Sequence, residues 1–407
     1  MLPKLGNVTS QWTQQNGQPV LVLQNALGLS QTAIALPQAL AMLPALCDGT
    51  RDVNALRASL MVRAGVRISV DVLAQIIQQM DEALLFENAR QAEAIARALE
   101  AYRRAESRQP VSAGQSYPPD PQEASRLLDE FVQMAAQENP PALPLPAEQI
   151  RGLLSPHIDY YRGGKTYAQV WSAAKPALTQ ADLVVILGTD HRGAAGAITL
   201  TRQHYRTPWG ILKTDQEAVT QVAQAVGVEQ AFTHELHHAV EHSIELAAVW
   251  LHYMAPQAHF TVLPILCGSF AEFVSGSTRI EEHAGVRLAA EALSMLSRGN
   301  RRVLLVAAAD LAHMGPAFGG YPVGLVERGR CRAADESLLD AICRGDASGF
   351  FAQIQAEGDR RNICGIPPVY LMLKALGPAR GIVTGYEQCP ADGQGTSLVS
   401  IAGALLW

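Results

Sequence analysis

The chain is short of lysine, and its first 156 residues contain no histidine. Only five of its 32 basic residues are lysine (Lys4, Lys165, Lys175, Lys213, Lys374), and 38 acidic residues leave a formal charge of −6. A net-negative surface repels polyphosphate unless a local basic patch overrides it, which argues against general nucleic-acid affinity. Nowhere do 18 apolar residues run together, so an ordinary membrane-spanning helix is excluded. The start, Met1-Leu-Pro-Lys-Leu-Gly-Asn7, lacks the apolar core of a secretory signal. The six cysteines (Cys47, Cys267, Cys331, Cys343, Cys364, Cys389) form no CxxC pair. In a chain this long they read as reduced thiols of a cytoplasmic protein, not as a disulfide framework. All eleven histidines fall between His157 and His313, so chemistry is expected in the later part of a chain with room for two or three domains.

In the first part, PVLVLQN and TAIAL read as short strands around a Gly-containing turn, followed by a helix over roughly Pro37–Cys47. Asp48-Gly49-Thr50 opens a second helix from Val53 to about Arg63, and Ser69 is a candidate N-cap for a third. In that third helix Val72, Ile76, Met80 and Leu84 recur at four-residue spacing. ALLFEN then reads as a closing strand, giving a small winged-helix-like module over residues 1–88. The module resembles the PqqD-like, peptide-recognition winged helix, through Leu46-Cys47-Asp48-Gly49-Thr50-Arg51-Asp52 and the later Leu84-Leu85-Phe86. That resemblance implies a peptide partner; a packing module without a ligand is the alternative. Residues 89–107, rich in Ala, Arg and Glu, read as a connecting helix, with the domain boundary near 108. A helix over Pro121–Gln137 and the stretch NPPALPLPAE lead onward.

From Arg151 the texture changes. Strand candidates at Leu183–Leu187, Phe260–Leu266, Val303–Ala309 and Gly381–Thr384 alternate with helical patterns, which predicts a layered α/β/α domain over 108–407. Polar residues follow strand ends directly: Thr189-Asp190-His191 and Asp310-Leu311-Ala312-His313. Ligands of open α/β sheets collect outside the carboxyl ends of the strands.

Five clusters carry candidate chemistry. Ser155-Pro156-His157-Ile158-Asp159-Tyr160 holds a histidine behind a proline, rigid enough for a metal ligand, and Gly188-Thr189-Asp190-His191 puts another at a strand end. His234-Glu235-Leu236-His237-His238 satisfies H-E-x-x-H, which on a helix would put His234 and His238 on zinc with the glutamate as general base. The helical spacing begins only after Glu241, however, and a third metzincin histidine would fall at Ile244. Glu241-His242-Ser243 opens that helix, where the dipole favours the neutral imidazole that a general base needs. Finally, Cys364-Gly365 precedes a helix over Val369–Leu376, a setting that lowers a thiol pKa.

The ordered set of AGQSY at Ala113–Tyr117, SPHIDY, LGTDH, YRTPWG, EHSIE, LPILCGS, AADLAHMG, ICG and the closing AGAL resembles the Memo family, over roughly residues 108–407. This resemblance implies a fold similar to class III extradiol dioxygenases, the ring-cleaving non-haem iron enzymes. It implies metal ligands at His157, His191 and Cys364, with His242 as a nearby catalytic base. Asp190, Asp310 and His313 would orient the ligands, and Asp159 would be an extra ligand or a loop residue. Fe(II) or Cu is the implied cofactor, with Zn admitted by the same donors. A cysteine where the extradiol enzymes carry a carboxylate softens the site and puts catechol cleavage in doubt. Ala312 also departs from the cysteine that animal relatives carry there. Bacterial and archaeal members are similar to component B of the AmmeMemoRadiSam system, which implies a radical-SAM protein and an AMMECR1-like protein as partners.

Three readings follow: a metal-binding, redox-active protein of dioxygenase-like type; a non-catalytic adaptor for a peptide or aromatic group; and a zinc hydrolase through His234 and His238.

Overall fold

The computed structural model describes residues 1–138, 146, 149–257 and 259–407. It divides into two compact units, Met1–Arg104 and Ala105–Trp407. Most of the proline-rich stretch 139–148 lies outside the described residues.

The first unit opens with an antiparallel meander of β1 (Val8–Gln15), β2 (Gln18–Asn25) and β3 (Ile34–Pro37). Asn16 and Gly17, both at positive φ (52° and 73°), form the two-residue turn between β1 and β2, as a primed hairpin turn requires. β1 is polar and almost wholly exposed, so no alternating pattern announces it in the sequence. Helices α1 (Leu43–Leu46), α2 (Val53–Ala64), α3 (Val70–Glu82) and α4 (Ala89–Arg104) follow. The helix expected over 37–47 is broken into a 3-10 turn at Gln38–Leu40 and the single turn α1. Asp52 caps α2 by accepting from the Ala55 N–H, and Ser69 caps α3 by accepting from Val72. Leu43, Leu56, Leu60, Leu73, Met80 and Leu85 form a dry core. ALLFEN is not a strand: Leu84 turns the chain at φ 59°, and only Phe86 pairs, in a single bridge to Leu5.

The second unit begins with α5 (Pro121–Gln137), β4 (Gly152–Ser155), α6 (Tyr160–Leu178) and β5 (Leu183–Thr189). Short elements follow: β6 (Ile198–Leu200), β7 (Tyr205–Thr207), β8 (Gly210–Leu212), α7 (Gln216–Val226), α8 (Val228–Phe232) and α9 (His237–Val240). Then come α10 (Ser243–Met254), β9 (Thr261–Cys267), α11 (Ala271–Val274), α12 (Ala284–Ser297), β10 (Val303–Ala308) and β11 (His313–Met314). The chain closes with α13 (Leu325–Cys343), α14 (Ala347–Glu357), α15 (Ile366–Leu376), β12 (Gly381–Pro390) and β13 (Leu398–Leu406).

Among the described residues β7 and β8 pair with each other, and the other strands of this unit build one mixed sheet in the order β11-β13-β4-β10-β5-β9-β6, with β12 paired to β13. The middle strands β4, β10, β5 and β9 are parallel, and the outer pairings are antiparallel. Side-chain alternation divides the strands between two cores. Leu183, Val185 and Leu187 pack on the face covered by α7, α12, α14 and α15; Val184 and Ile186 pack on the face covered by α5, α6 and α10. The mixed α/β fold is therefore a three-layer α/β/α arrangement.

This topology positions the site. The chain crosses from β4 past one strand position to β5, steps to β9, and then returns to insert β10 between β4 and β5. That return is a reversal of strand order, where an open α/β sheet leaves a crevice at its carboxyl edge. Close backbone approach there needs glycine: a Cβ on Gly365 would stand 2.4 Å from the Asp310 carbonyl oxygen.

Candidate metal centre

Because β4, β10 and β5 are parallel neighbours, they end at the same edge. His157, Asp310 and His191 each lie two residues beyond their strand. Two helix starts face the same edge: His242 immediately precedes α10, and Cys364 lies two residues before α15.

His157, His191 and His242 converge, with ligand-capable atoms all within 4.8 Å of one another. The His191 and His242 rings stack at 5.1 Å between centroids, and His157 meets them edge-on at 5.2 and 5.6 Å. The Cys364 sulfur lies 3.2 Å from His157 Nε2. His157 Nδ1 donates to the carbonyl of Ala308 (2.9 Å), which leaves Nε2 turned towards the Cys364 sulfur. His191 Nδ1 lies 3.0 Å from a Glu241 carboxylate oxygen, and His242 Nδ1 lies 3.0 Å from the other. These rings line a cleft of about 670 Å³ together with Ser112, Gln115, Asp159, Arg162, His313 and Phe318.

The electrostatics of the cluster set a lowered thiol against raised imidazoles. Burial opposes a charged Cys364, but the His157 and His313 rings and a hydrogen bond from His191 hold its thiol well below the usual range. Burial likewise opposes charge on His157, yet the facing Cys364 and Asp310 push it up to about 9. Against its own burial, His191 is raised well above an ordinary imidazole by Glu241 and Cys364. Burial of Glu241 is in turn outweighed by His191 and His242, which hold its carboxyl well below the carboxylate range. A thiolate among protonatable imidazoles is what a metal ion displaces protons from.

The other predicted residues are distributed unevenly around this cluster. Asp310 accepts from the backbone N–H of His157 (2.8 Å), and its other oxygen lies 3.8 Å from His157 Nε2, beyond hydrogen-bond reach. His313 lines the cleft, with its ring against Phe318. Asp190 points elsewhere: its carboxylate meets Nδ1 of His237 at 2.8 Å and the N–H of Arg192. Asp159, also on the cleft wall, caps α6 by accepting from Arg162 N and pairs with the Arg162 guanidinium. The two outer residues of H-E-x-x-H form no zinc site. The motif is a turn running into the four-residue α9, and both ring nitrogens of buried His238 are engaged, by the Tyr205 hydroxyl (2.7 Å) and the Thr199 carbonyl (3.0 Å). Burial foremost pushes the His238 pKa down to about 4, so this ring is a neutral core residue. His234 stacks on His237.

Two functional features went unread in the sequence. Glu241, inside the EHSIE motif, is the shared partner of two site imidazoles. Arg108, next to the expected boundary, is fully buried and pairs with Glu245; it also donates to the carbonyls of His238 and Glu241. Glu245 accepts in addition from Val111 N, Ser112 N and the Tyr117 hydroxyl, which seats the AGQSY loop on the cleft wall. An arginine isolated in sequence gives no sign of burial; the i, i+4 spacing of the two glutamates in EHSIE was the available signal.

Residues 108–405 match the family model of Memo-like proteins. The chain belongs to the Memo family. A MEMO1 family protein of Aquifex aeolicus is 28% identical over 397 residues, covering 95% of this chain and 96% of its own length, so the likeness reaches into the first unit. A Methanosarcina barkeri MEMO1 family protein is 28% identical over 285 residues, 69% of this chain and 92% of its own. A second Aquifex aeolicus family member, 26% identical over 286 residues, likewise covers 69% of this chain. The Memo domain therefore occurs in relatives of both the longer and the shorter extent. No described helix is long and apolar enough to cross a membrane.

Proposed function

We propose that this Memo-family protein binds a transition-metal ion, Fe(II) or Cu with Zn admitted by the same donors, through His157, His191 and Cys364. His242 then acts as the proton-carrying group at the edge of the same cleft. The observation that carries this reading is the convergence of three imidazoles on one polar cleft, with the Cys364 sulfur 3.2 Å from His157 Nε2. Two imidazoles and a thiolate suit these metals, and when bound the ion would supply redox or Lewis-acid chemistry to a substrate in the cleft. The chain's own residues do the rest. Ala308 and Glu241 fix the ring orientations, Asp310 holds the His157 backbone, and Ser112, Gln115 and Arg162 offer the substrate polar contacts. The reaction class is a dioxygenase-like oxidation, with a radical-SAM protein and an AMMECR1-like protein as partners on the family resemblance.

Anaerobic purification followed by metal analysis tests the ligand set. About one equivalent of metal is expected in the wild type and in His242→Ala, and background levels in His157→Ala, His191→Ala and Cys364→Ser. Metal retained by Cys364→Ser but lost from His242→Ala overturns the assignment in favour of an all-histidine set. Co-purification of the tagged chain with neither partner would remove the partner assignment.

A further inference from the structure

The buried carboxylate of Glu241 has an unusual share of this site. It receives three backbone N–H groups, from His191, His242 and Ser243, at 2.8–3.2 Å. It also accepts from Nδ1 of His191 at 3.0 Å, and Nδ1 of His242 stands 3.0 Å from its other oxygen. Only about 1% of the Glu241 side chain is exposed, so no water competes for these positions. An ionised carboxylate accepts hydrogen bonds and cannot donate one. An imidazole nitrogen that faces it at this distance must therefore carry a proton, because a bare lone pair there would repel the oxygen.

Resting on the metal-site reading, we infer that Glu241 is the positioning residue of the centre. One carboxylate keeps Nδ1 protonated on both His191 and His242, so that Nε2 of His191 is left for the cation and Nε2 of His242 for the proton it carries. The backbone anchors make this more than a local contact. Through the same oxygens Glu241 ties the loop after β5 to the start of α10, so ring orientation and ring tautomer are set by one group. His157 reaches the same state by a separate route, through the Ala308 carbonyl. All three rings are thereby presented alike although they come from three places in the sequence. Carboxylate or carbonyl partners of this kind commonly fix the tautomer of a ligating histidine, and their loss costs about 10–100-fold in metal affinity.

The test is long-range proton–nitrogen NMR of the full chain labelled with 15N-histidine, metal-free and loaded with Zn(II), with ring signals assigned from His191→Ala and His242→Ala. Protonated Nδ1 on both rings in the wild type is the expected result, and the wild-type spectrum decides without any variant having to fold. A bare Nδ1 on either ring overturns the inference. Glu241→Gln replaces one acceptor oxygen with an N–H donor, so one of the two rings is expected to switch its proton to Nε2. Zn(II) affinity should fall by about 10–100-fold in the same variant. A merely structural role would lower the melting temperature of Glu241→Gln while leaving both tautomers unchanged, and that outcome also overturns it. Protonated Nδ1 on both rings in a chain that takes up no metal would leave the tautomer assignment standing and overturn the metal reading instead.

Discussion

Two groups of histidines in this protein look opposite in sequence and in space. His234, His237 and His238 are packed into five residues that spell a metalloprotease signature; His157, His191 and His242 are spread over 86. The compact group is dispersed in function. His238 has both nitrogens engaged, His237 pairs with Asp190, and His234 stacks on His237. The dispersed group converges on one cleft, with its ligand-capable atoms within 4.8 Å of one another. What separates them is where the rings face: His157, His191 and His242 line one cleft, whereas His238 is closed in by Tyr205 and Thr199.

This contrast can be broken at the residue that joins the two groups. Arg108 donates to the carbonyls of both His238 and Glu241 while paired with Glu245 in the interior. Arg108→Met strands the Glu245 charge and should cost about 3–5 kcal/mol. Urea denaturation measures it, and a loss below about 1 kcal/mol would show that the pair is not the clamp between the groups.

Next in size is the functional side of the contrast. His157→Ala should reduce Zn(II) or Fe(II) affinity at least about 100-fold, since both a ligand and its hydrogen-bonded support are lost. His238→Ala should leave affinity within about threefold, because its ring faces Tyr205 and Thr199 and not the cleft. Isothermal titration of both variants checks the pair of outcomes, and equal losses would erase the distinction between the groups.

The His238 variant should differ in stability instead. Removing the ring leaves the Tyr205–Thr199 positions without this partner, at a cost of about 1–3 kcal/mol near pH 7. The sign of the pH dependence follows from a folded pKa of about 4 against an ordinary 6.5. The unfolded chain binds the proton first, so the wild type loses stability through this group as pH falls from 6.5 towards 4. The stability gap between wild type and His238→Ala should therefore shrink over that window, as read from denaturation midpoints at a series of pH values.

The smallest expected effect concerns Asp159, which lines the cleft but acts as a helix cap. Asp159→Ala should cost about 1 kcal/mol of stability and leave metal affinity unchanged. A clear drop in affinity would return Asp159 to the ligand set.

Much of the fold was legible. The helix Pro121–Gln137 and the strands beginning near Leu183, Phe260 and Val303 appear close to their predicted bounds, because buried strands between helices leave long apolar runs. Polar β1 and the turn at Leu84 were missed, since neither carries a periodic apolar signal. In the candidate site, His157, His191, His242 and Cys364 were all named from motifs and come together in space. Asp190 was assigned to the support of a neighbouring ring and supports His237 instead, because adjacency along the chain says nothing about where an extended residue points its side chain. Glu241 was given no role for the converse reason: it sits beside His242 in sequence, but its role depends on His191, fifty residues away.

The amino-acid sequence by itself determined the layered α/β/α class and the family, because periodicity and motif order are written along the chain. Only the tertiary structure decided which histidines are ligand candidates and which are core. That choice rests on the insertion of β10 between β4 and β5, which brings three strand ends to one edge, and on a single buried carboxylate shared by two rings. Both are contacts between distant segments, and the hydrogen-bond partner of a side-chain nitrogen is a property of space rather than of position in the chain.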